Sequence, residues 1–509
     1  MVGHGDDTRA GRAVRRSFVA AKTALVGALL LAVACGGERE LGDYPASTCD
    51  LGARPSGDPH EEQINIATFW YDDDREREAF RVLTRRVDDD NYYVSIDDMP
   101  DRVATQRHIR DAFENEKLPH LFQVNGGSDV VGWVDGRHGD ERDLCALDSL
   151  REPSAWSDYF QETLEPIRCA GSIYALPVGV HHINVLFYNH ALFEQLSALA
   201  EDSGITLTPP AALESPAELV ELLRAVSELD TARLGGGAPI VPLAIGSSND
   251  WPLTVVAYEN VLLGLGRDAY ETLWEGGLET DGGRGAQRLE RSLREMLDVL
   301  RDLVRYSNYA AGIKWQDALR QVGSGQALLT ITGDWGYAQL DPAQLPDVTT
   351  IAFPGTRGSF VYTPDSFAAP RELGANGFQA RAFLDSAQDK AALIAFSNAK
   401  YSIPPRVDLE AEELAELTTR ATYDEFSACA RREGDCELLL AVSGLGPSPG
   451  IDPCLDEVEH VLALAVAGKP LTHERSCAAP EPRTAAAAEE RLLEVWLEVA
   501  KRRFAASCR

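Results

Sequence analysis

The sequence predicts an α/β fold of two lobes, each a sheet covered by helices. Three observations predict it. Between Ile64 and Val124 the apolar pattern switches between a period of two and a period near 3.6. The resulting β-α-β-α-β order is that of a parallel sheet with crossover helices. Ile173 to Asn189 is a long β-branched and aromatic run, the pattern of a strand that leaves one lobe and enters another. Beyond it come two strong amphipathic helix patterns and then a further strand pattern, Ala327 to Thr332. The 509 residues leave room for about two to four domains, and no repeat recurs at a fixed period.

The chain opens on a basic leader, Arg9, Arg12, Arg15 and Arg16. Lys22 then precedes the apolar run Thr23 to Ala34. That run is too short for a bilayer span of roughly 20 residues and fits the apolar part of a signal peptide. It ends at Ala32-Val33-Ala34-Cys35-Gly36, which resembles a bacterial lipobox. The resemblance implies a lipid on Cys35, with ordinary signal-peptidase cleavage as the alternative because Leu31 stands one place upstream of the usual leucine. Residues 1–34 are therefore expected to be removed. Residues 35–62, rich in Gly, Pro, Asp and Glu, are expected to form a flexible tether.

The elements then follow in order. Ile64 to Phe69 is a strand, Arg75 to Val87 a helix with Ala79, Phe80, Leu83 and Val87 on one face. Tyr92 to Ile96 is a strand, Arg102 to Glu116 a helix, and Leu121 to Val124 a short strand. Ser215-Pro216-Ala217-Glu218 is a helix start: Ser caps, Pro fits the first turn, and Glu stands three after the cap. Leu219, Leu222, Leu223, Val226 and Leu229 share one face of that helix. Leu289 to Val304 is a second strong helix, Ala327 to Thr332 a strand, and Thr484 caps a long Ala- and Glu-rich helix to about Arg503.

The net charge is −32, which argues against nucleic acid and against adsorption to an anionic membrane, since both need clustered Lys and Arg. Nine cysteines leave eight once Cys35 is set aside, an even number that in an exported chain predicts up to four disulfides. Cys145–Cys169 and Cys429–Cys436 are the pairs favoured by nearness in sequence. No cysteine spacing matches a zinc site, and the acidic runs at Asp72 and Asp88 lack the Gly and Glu of a calcium loop. Neither a metal nor a cofactor is expected.

Two catalytic signatures are missing too: no HExxH or GxxxxGK[ST] occurs. Adjacent residues of a strand point to opposite faces, so His181 and His182 make a poor metal pair. One is expected to be buried and the other to face a ligand. What remains are aromatic residues beside amides and carboxylates at strand ends: Trp70-Tyr71, Gln123 and Asn125, Trp251, Asp334-Trp335 and Asp365. In a parallel α/β sheet those ends face the ligand crevice. Sugars suit such a lining, because their C–H faces stack on aromatic rings and their hydroxyls bond to amides and carboxylates.

At these residues the chain resembles the extracellular solute-binding proteins of carbohydrate ABC importers, most of all their glucose/mannose-type subfamily. The matching pieces run in family order: Phe69-Trp70-Tyr71, Pro119 to Gly127, Ala175 to Asn184, Gly325-Gln326-Ala327 through Gly333-Asp334-Trp335, and Phe353-Pro354-Gly355-Thr356 through Asp365-Ser366-Phe367. The resemblance implies a periplasmic-binding-protein-like fold with crossing hinge strands. It places Trp70, Tyr71, Gln123, Asn125, His181, His182, Trp251, Asp334, Trp335 and Asp365 near a mono- or oligosaccharide. His182 stands where such proteins often carry Arg, and the cysteine-rich segment 429–508 has no counterpart in the family.

The expected division is 63–180 with 325–368 in the first lobe, and 181–324 with 369–509 in the second. The expected function is a non-enzymatic, monomeric receptor, exported and lipid-tethered, that hands its sugar to an ABC permease. Two alternatives stay open. One is a surface glycosidase using Asp334 and Asp365, which would need carboxylates about 5–10 Å apart across a sugar. The other is a lipoprotein receptor feeding a sensor.

Overall fold

A computed structural model describes residues 51, 62–70, 74–89, 92–99, 102–115, 117–134, 144–234, 237–249, 251–275, 278, 284–371, 373, 377–441, 458–469, 482 and 484–501. The leader, Cys35, most of the tether, Tyr71, Asp250, and Cys49, Cys454, Cys477 and Cys508 lie outside the described residues.

The first sheet starts as its pattern predicts. Strands β1 (Glu62–Thr68), β2 (Tyr92–Asp98) and β3 (Leu121–Asn125) are parallel, with β1 between the other two. Helix α1 (Asp74–Asp89) and helix α2 (Arg102–Glu114) are the crossovers. The α1 residues Ala79, Phe80, Leu83 and Val87, spaced for one helical face, are all buried. The run 173–189 is broken into pieces. After the small β4 (Arg168–Cys169) and β5 (Ser172–Ile173) hairpin come β6 (Leu176–His182) and β7 (Val185–Asn189). β6 belongs to the first sheet and β7 to the second, so the chain crosses between sheets at Ile183 and Asn184.

The second sheet has the order β10-β7-β9-β8, with β8 at Val241–Ala244, β9 at Ala327–Ile331 and β10 at Val348–Ala352. The chain then returns to the first sheet as β11 (Ser359–Ala368). One edge of β11 pairs with β12 (Glu437–Leu440) and then with β3, and its other edge pairs with β6. Two crossing segments, β6 to β7 and β10 to β11, thus join the sheets.

This pairing moves two boundaries. β9 and β10 were expected with the first sheet and lie in the second. Helices Gly377–Ala387 and Lys390–Lys400 were expected in the second lobe. They pack on α1, with Phe383 and Phe396 in the core shared with Phe80 and Phe367. Strand periodicity reports burial on two faces, and β9 is buried at every residue. It carries no information about which sheet supplies the partner, which here is β7 through Leu186↔Ile331.

The helix patterns of the second lobe form as read. Ser215 caps Pro216–Ser227 through its hydroxyl, which accepts from the Glu218 N–H. Arg284–Arg305 buries Leu289, Leu293, Met296, Leu297, Leu300 and Leu303. At about 1.5–3 kcal/mol per buried side chain that face stabilises the lobe by on the order of 10 kcal/mol before chain entropy is charged against it. The C-terminal helices Val458–Ala467 and Ala485–Lys501 close the same core. Trp496 donates its indole N–H to the Tyr258 hydroxyl at 2.8 Å, and Glu489 accepts from both Arg294 and Arg301.

Cys429 and Cys436 form a disulfide that ties helix Leu417–Ala430 to the start of β12, so this part of the cysteine-rich segment braces the first lobe. Cys145 and Cys169 are buried and also disulfide-bonded. Among the described residues no helix is long and apolar enough to cross a membrane.

Candidate functional site

Asp334 stands at the C-terminal end of β9, the first residue of a short 3-10 turn, Asp334–Gln339. Gly333 before it lets the chain fold tightly: the Trp335 indole lies back over Gly333, and a Cβ there would sit 2.0 Å from a ring carbon. Asp334 reaches from the second sheet to the first. Its Oδ1 lies 2.6 Å from His181 Nδ1 and its Oδ2 accepts from the His182 backbone N–H at 3.0 Å. On the far side of the imidazole, His181 Nε2 lies 3.3 Å from Asp365 Oδ2 on β11. The Trp335 ring meets the His181 ring edge to face, centroids 5.4 Å apart.

The three ionisable groups are all buried. Burial opposes a charge on His181, but Asp334 and then Asp365 outweigh it and push the ring up to about 9. Burial also raises the Asp334 carboxyl, with His181 and the His182 N–H pulling it back. The proton of the pair resides on the imidazole, because two carboxylates bracket it. His182 behaves oppositely. Burial pushes it down to about 3, only weakly opposed by its bond to Asn184, so it stays neutral.

Asn125 completes the group. It is directly opposite Asp365 in the β3–β11 register and so on the same face. Its side chain is buried, yet neither its amide nitrogen nor its oxygen makes a hydrogen bond within the chain. Gln123, two residues before it, accepts from Thr68 Oγ1 at 2.6 Å through Oε1, while its Nε2 has no partner. Thr363, opposite His181, also has an unpartnered hydroxyl. Gly126 follows Asn125 because β3 ends against Pro364 and Pro166, where a Cβ would come within 2.5 Å of the Pro364 ring.

Trp251 begins a helix of the second lobe, half-buried, its ring centroid 6.3 Å from Trp335. It also meets Trp315, again at 6.3 Å. Trp315 was not anticipated. It begins helix Trp315–Gly323, and its place at a helix start beside the Gly246 backbone is the signal that was available.

Two predicted residues take other roles. Trp70 was expected at a ligand and is core: it packs on Phe367 and Phe396 with the Lys400 ammonium 5.2 Å from its ring. Beside it the Thr68 hydroxyl accepts from the Trp70 backbone N–H at 3.1 Å, while the ring itself lies in the first-lobe core. His182 was also expected at a ligand. Its ring stacks on Phe360 at 3.7 Å and its Nε2 bonds Asn184 Oδ1, so it belongs to the crossing segments. The structure thus brings together Asn125, His181, Asp334, Trp335 and Asp365, with Trp251 adjoining. Among the described residues no set of three His, Cys, Asp or Glu is placed to hold a metal. An open groove of about 730 Å³ is lined by Asp74, Asp317, Arg320, Gln321, Gln339 and Gln344 and includes none of these residues.

Two α/β lobes, joined by crossing strands and carrying a polar and aromatic cluster where the strands cross, define a solute-binding receptor. The sequence model of the bacterial extracellular solute-binding proteins matches residues 89–422, and the chain belongs to that family. It is 25% identical over 396 residues to an uncharacterized ABC transporter extracellular-binding protein of Pyrococcus horikoshii, covering 76% of this chain and 80% of that one. A xylose/arabinose-binding protein of Haloferax volcanii is 26% identical over half of each chain. Among solved structures, a chitin oligosaccharide binding protein superposes with a TM-score of 0.62 at 14% identity, over 86% of this chain and 99% of that one. The GacH receptor of Streptomyces glaucescens superposes with 0.57 at 13% identity, over 87% and 99%. These likenesses are of fold.

Proposed function

We propose that the protein is an exported sugar receptor whose lobes close on a mono- or oligosaccharide and hand it to an ABC permease. The observation that carries this is Asn125. A buried amide with no partner costs about 1–3 kcal/mol, a cost that a ligand hydroxyl pair would remove. Asp365 opposite it, and Asp334 and Trp335 around the neighbouring His181, supply acceptors and a ring face, the chemistry of sugar recognition. The names of the relatives, xylose/arabinose and chitin oligosaccharide binders among them, point the same way. The glucose/mannose-type resemblance, a lipid on Cys35, a monomeric state and the division into lobes at residues 182 and 358 belong to the same reading.

Hydrolysis fits less well. A paired-carboxylate hydrolase keeps the space between its carboxylates for the glycosidic bond. Here the imidazole of His181 fills the line from Asp334 to Asp365. The protein binds sugar and returns it unchanged.

A thermal-shift screen with mono-, di- and oligosaccharides tests the proposal. Ligand at about 100 times Kd stabilises the native state by about 2.7 kcal/mol. A chain of this size has an unfolding entropy on the order of 1 kcal/mol/K, so Tm rises by about 3 °C. No shift with any sugar of the panel overturns the reading.

A further inference from the structure

The two crossing segments pair as strands, β6 with β11 and β7 with β10, and one side chain bonds across the junction between those pairings. Asn184 is fully buried between β6 and β7. Its amide nitrogen donates to Thr356 Oγ1 at 2.9 Å and to the Ser359 carbonyl at 2.8 Å. Its amide oxygen accepts from the Val361 N–H at 2.8 Å and contacts His182 Nε2 at 3.0 Å. Its backbone carbonyl accepts from the Phe353 N–H at 3.0 Å, and the Ile183 N–H bonds the Val361 carbonyl at 2.9 Å. Thr356 in turn donates to the Phe353 carbonyl at 2.9 Å.

These bonds fix more than they first show. The two Nδ2 hydrogens are both taken by oxygens, which sets the amide orientation. Oδ1 must therefore be the acceptor toward His182, so His182 carries its proton on Nε2. Its ring is held flat on Phe360 of β11, and its backbone N–H is the one that Asp334 accepts. A bond made to Asp334 is thus one residue removed from the knot that joins the crossings.

We infer that Asn184, with Thr356, is the positioning clasp of the hinge: it holds the two crossing segments in register as one unit about which the lobes turn. The inference rests on the sugar-receptor reading only for the ligand it serves. The clasp itself is built within the chain, with all four amide positions of Asn184 filled. A residue needed for packing alone would be served by an apolar side chain of the same volume. An amide that bonds four groups from two separate segments is a device for holding those segments in register.

The test compares Thr356→Val, Thr356→Ser and Asn184→Ala with the wild type. Thr356→Val removes two bonds, the one from Asn184 and the one to the Phe353 carbonyl, at nearly constant volume and keeps the question answerable if Asn184→Ala does not fold. Hydrogen exchange of the Phe353, Ile183 and Val361 amides and small-angle scattering of the ligand-free protein are the first readouts. Thr356→Val is expected to speed exchange at those amides about 25-fold beyond any change elsewhere, the value of two net hydrogen bonds, and to raise the radius of gyration. Thr356→Ser restores both. The second readout is sugar dissociation, expected to be about five-fold faster in Thr356→Val with the association rate unchanged. Equal exchange and equal scattering in Thr356→Val and wild type overturn the clasp, whatever the sugar result. A wild type that takes no sugar while Thr356→Val still loosens the crossings overturns the receptor reading and leaves the clasp standing.

Discussion

Replacing His181 by Gln should abolish most of the alkaline loss of stability of this protein. His181 is buried between two carboxylates, and its folded-state value of about 9 stands above its ordinary 6.5. The folded state therefore holds the proton more tightly than the unfolded chain. The resulting stabilisation is fully present below pH 6.5 and is lost as pH rises through 9. The interval is about 2.5 pH units, or roughly 3 kcal/mol at 1.36 kcal/mol per unit. With an unfolding entropy on the order of 1 kcal/mol/K, that is about 3 °C of Tm. The assay is a pair of Tm profiles from pH 6 to pH 10, one for wild type and one for His181→Gln. The difference between them removes every group the two proteins share. Wild type should exceed the variant at pH 6 by about 3 °C more than it does at pH 10. Parallel profiles would refute the placement of a charged imidazole between Asp334 and Asp365.

Other consequences follow from the same geometry. His182 is held neutral at about 3 by burial, so its contribution is present above pH 6.5 and lost as pH falls toward 3; a His182→Gln variant should flatten the acid limb of the Tm profile. Trp335→Ala should weaken sugar binding roughly ten-fold by calorimetry, the value of one stacked ring, with the fold intact by circular dichroism. Gly333→Ala should match or exceed that loss, because the new methyl displaces the indole; unchanged affinity would show that the ring is not a sugar platform. Removing Cys429–Cys436, which spans seven residues, should lower stability by about 2 kcal/mol while leaving sugar affinity alone, since the loop braces the first lobe away from Asp334.

How much of this was legible in the sequence follows from what each pattern physically encodes. The α1 face of Ala79, Phe80, Leu83 and Val87 and the Ser215 cap were readable because a 3.6 period and an N-cap are local consequences of helix geometry. The sheet membership of β9 was not, because pairing with β7 joins residues far apart in sequence. Trp70 and Trp315 exchanged roles for a related reason. A tryptophan beside a strand end looks the same whether its ring turns under the sheet or out from it. The Trp70 ring lies in the first-lobe core against Phe396, which arrives from more than three hundred residues away. Asp334 and Asp365 were readable as candidates from their motifs. That they bracket one imidazole was not.

The adjacency of His181 and His182 lets one carboxylate reach both the buried cluster and the crossing segments. Successive side chains on β6 point to opposite faces, so one histidine enters the cluster of Asp365 and Trp335 while the next stacks on Phe360 and reaches Asn184. Asp334 bonds the ring of the first and the backbone of the second. Asp334→Asn separates these two duties. The amide oxygen can still accept one bond, from the His182 N–H, but the charge that holds the proton on His181 is gone. The variant should therefore keep the slow exchange of the Val361 and Phe353 amides while its Tm profile loses the alkaline slope seen in wild type. If exchange at those amides instead rises with the loss of charge, the proton on His181, and not the geometry around Asn184, is what holds the crossing segments together.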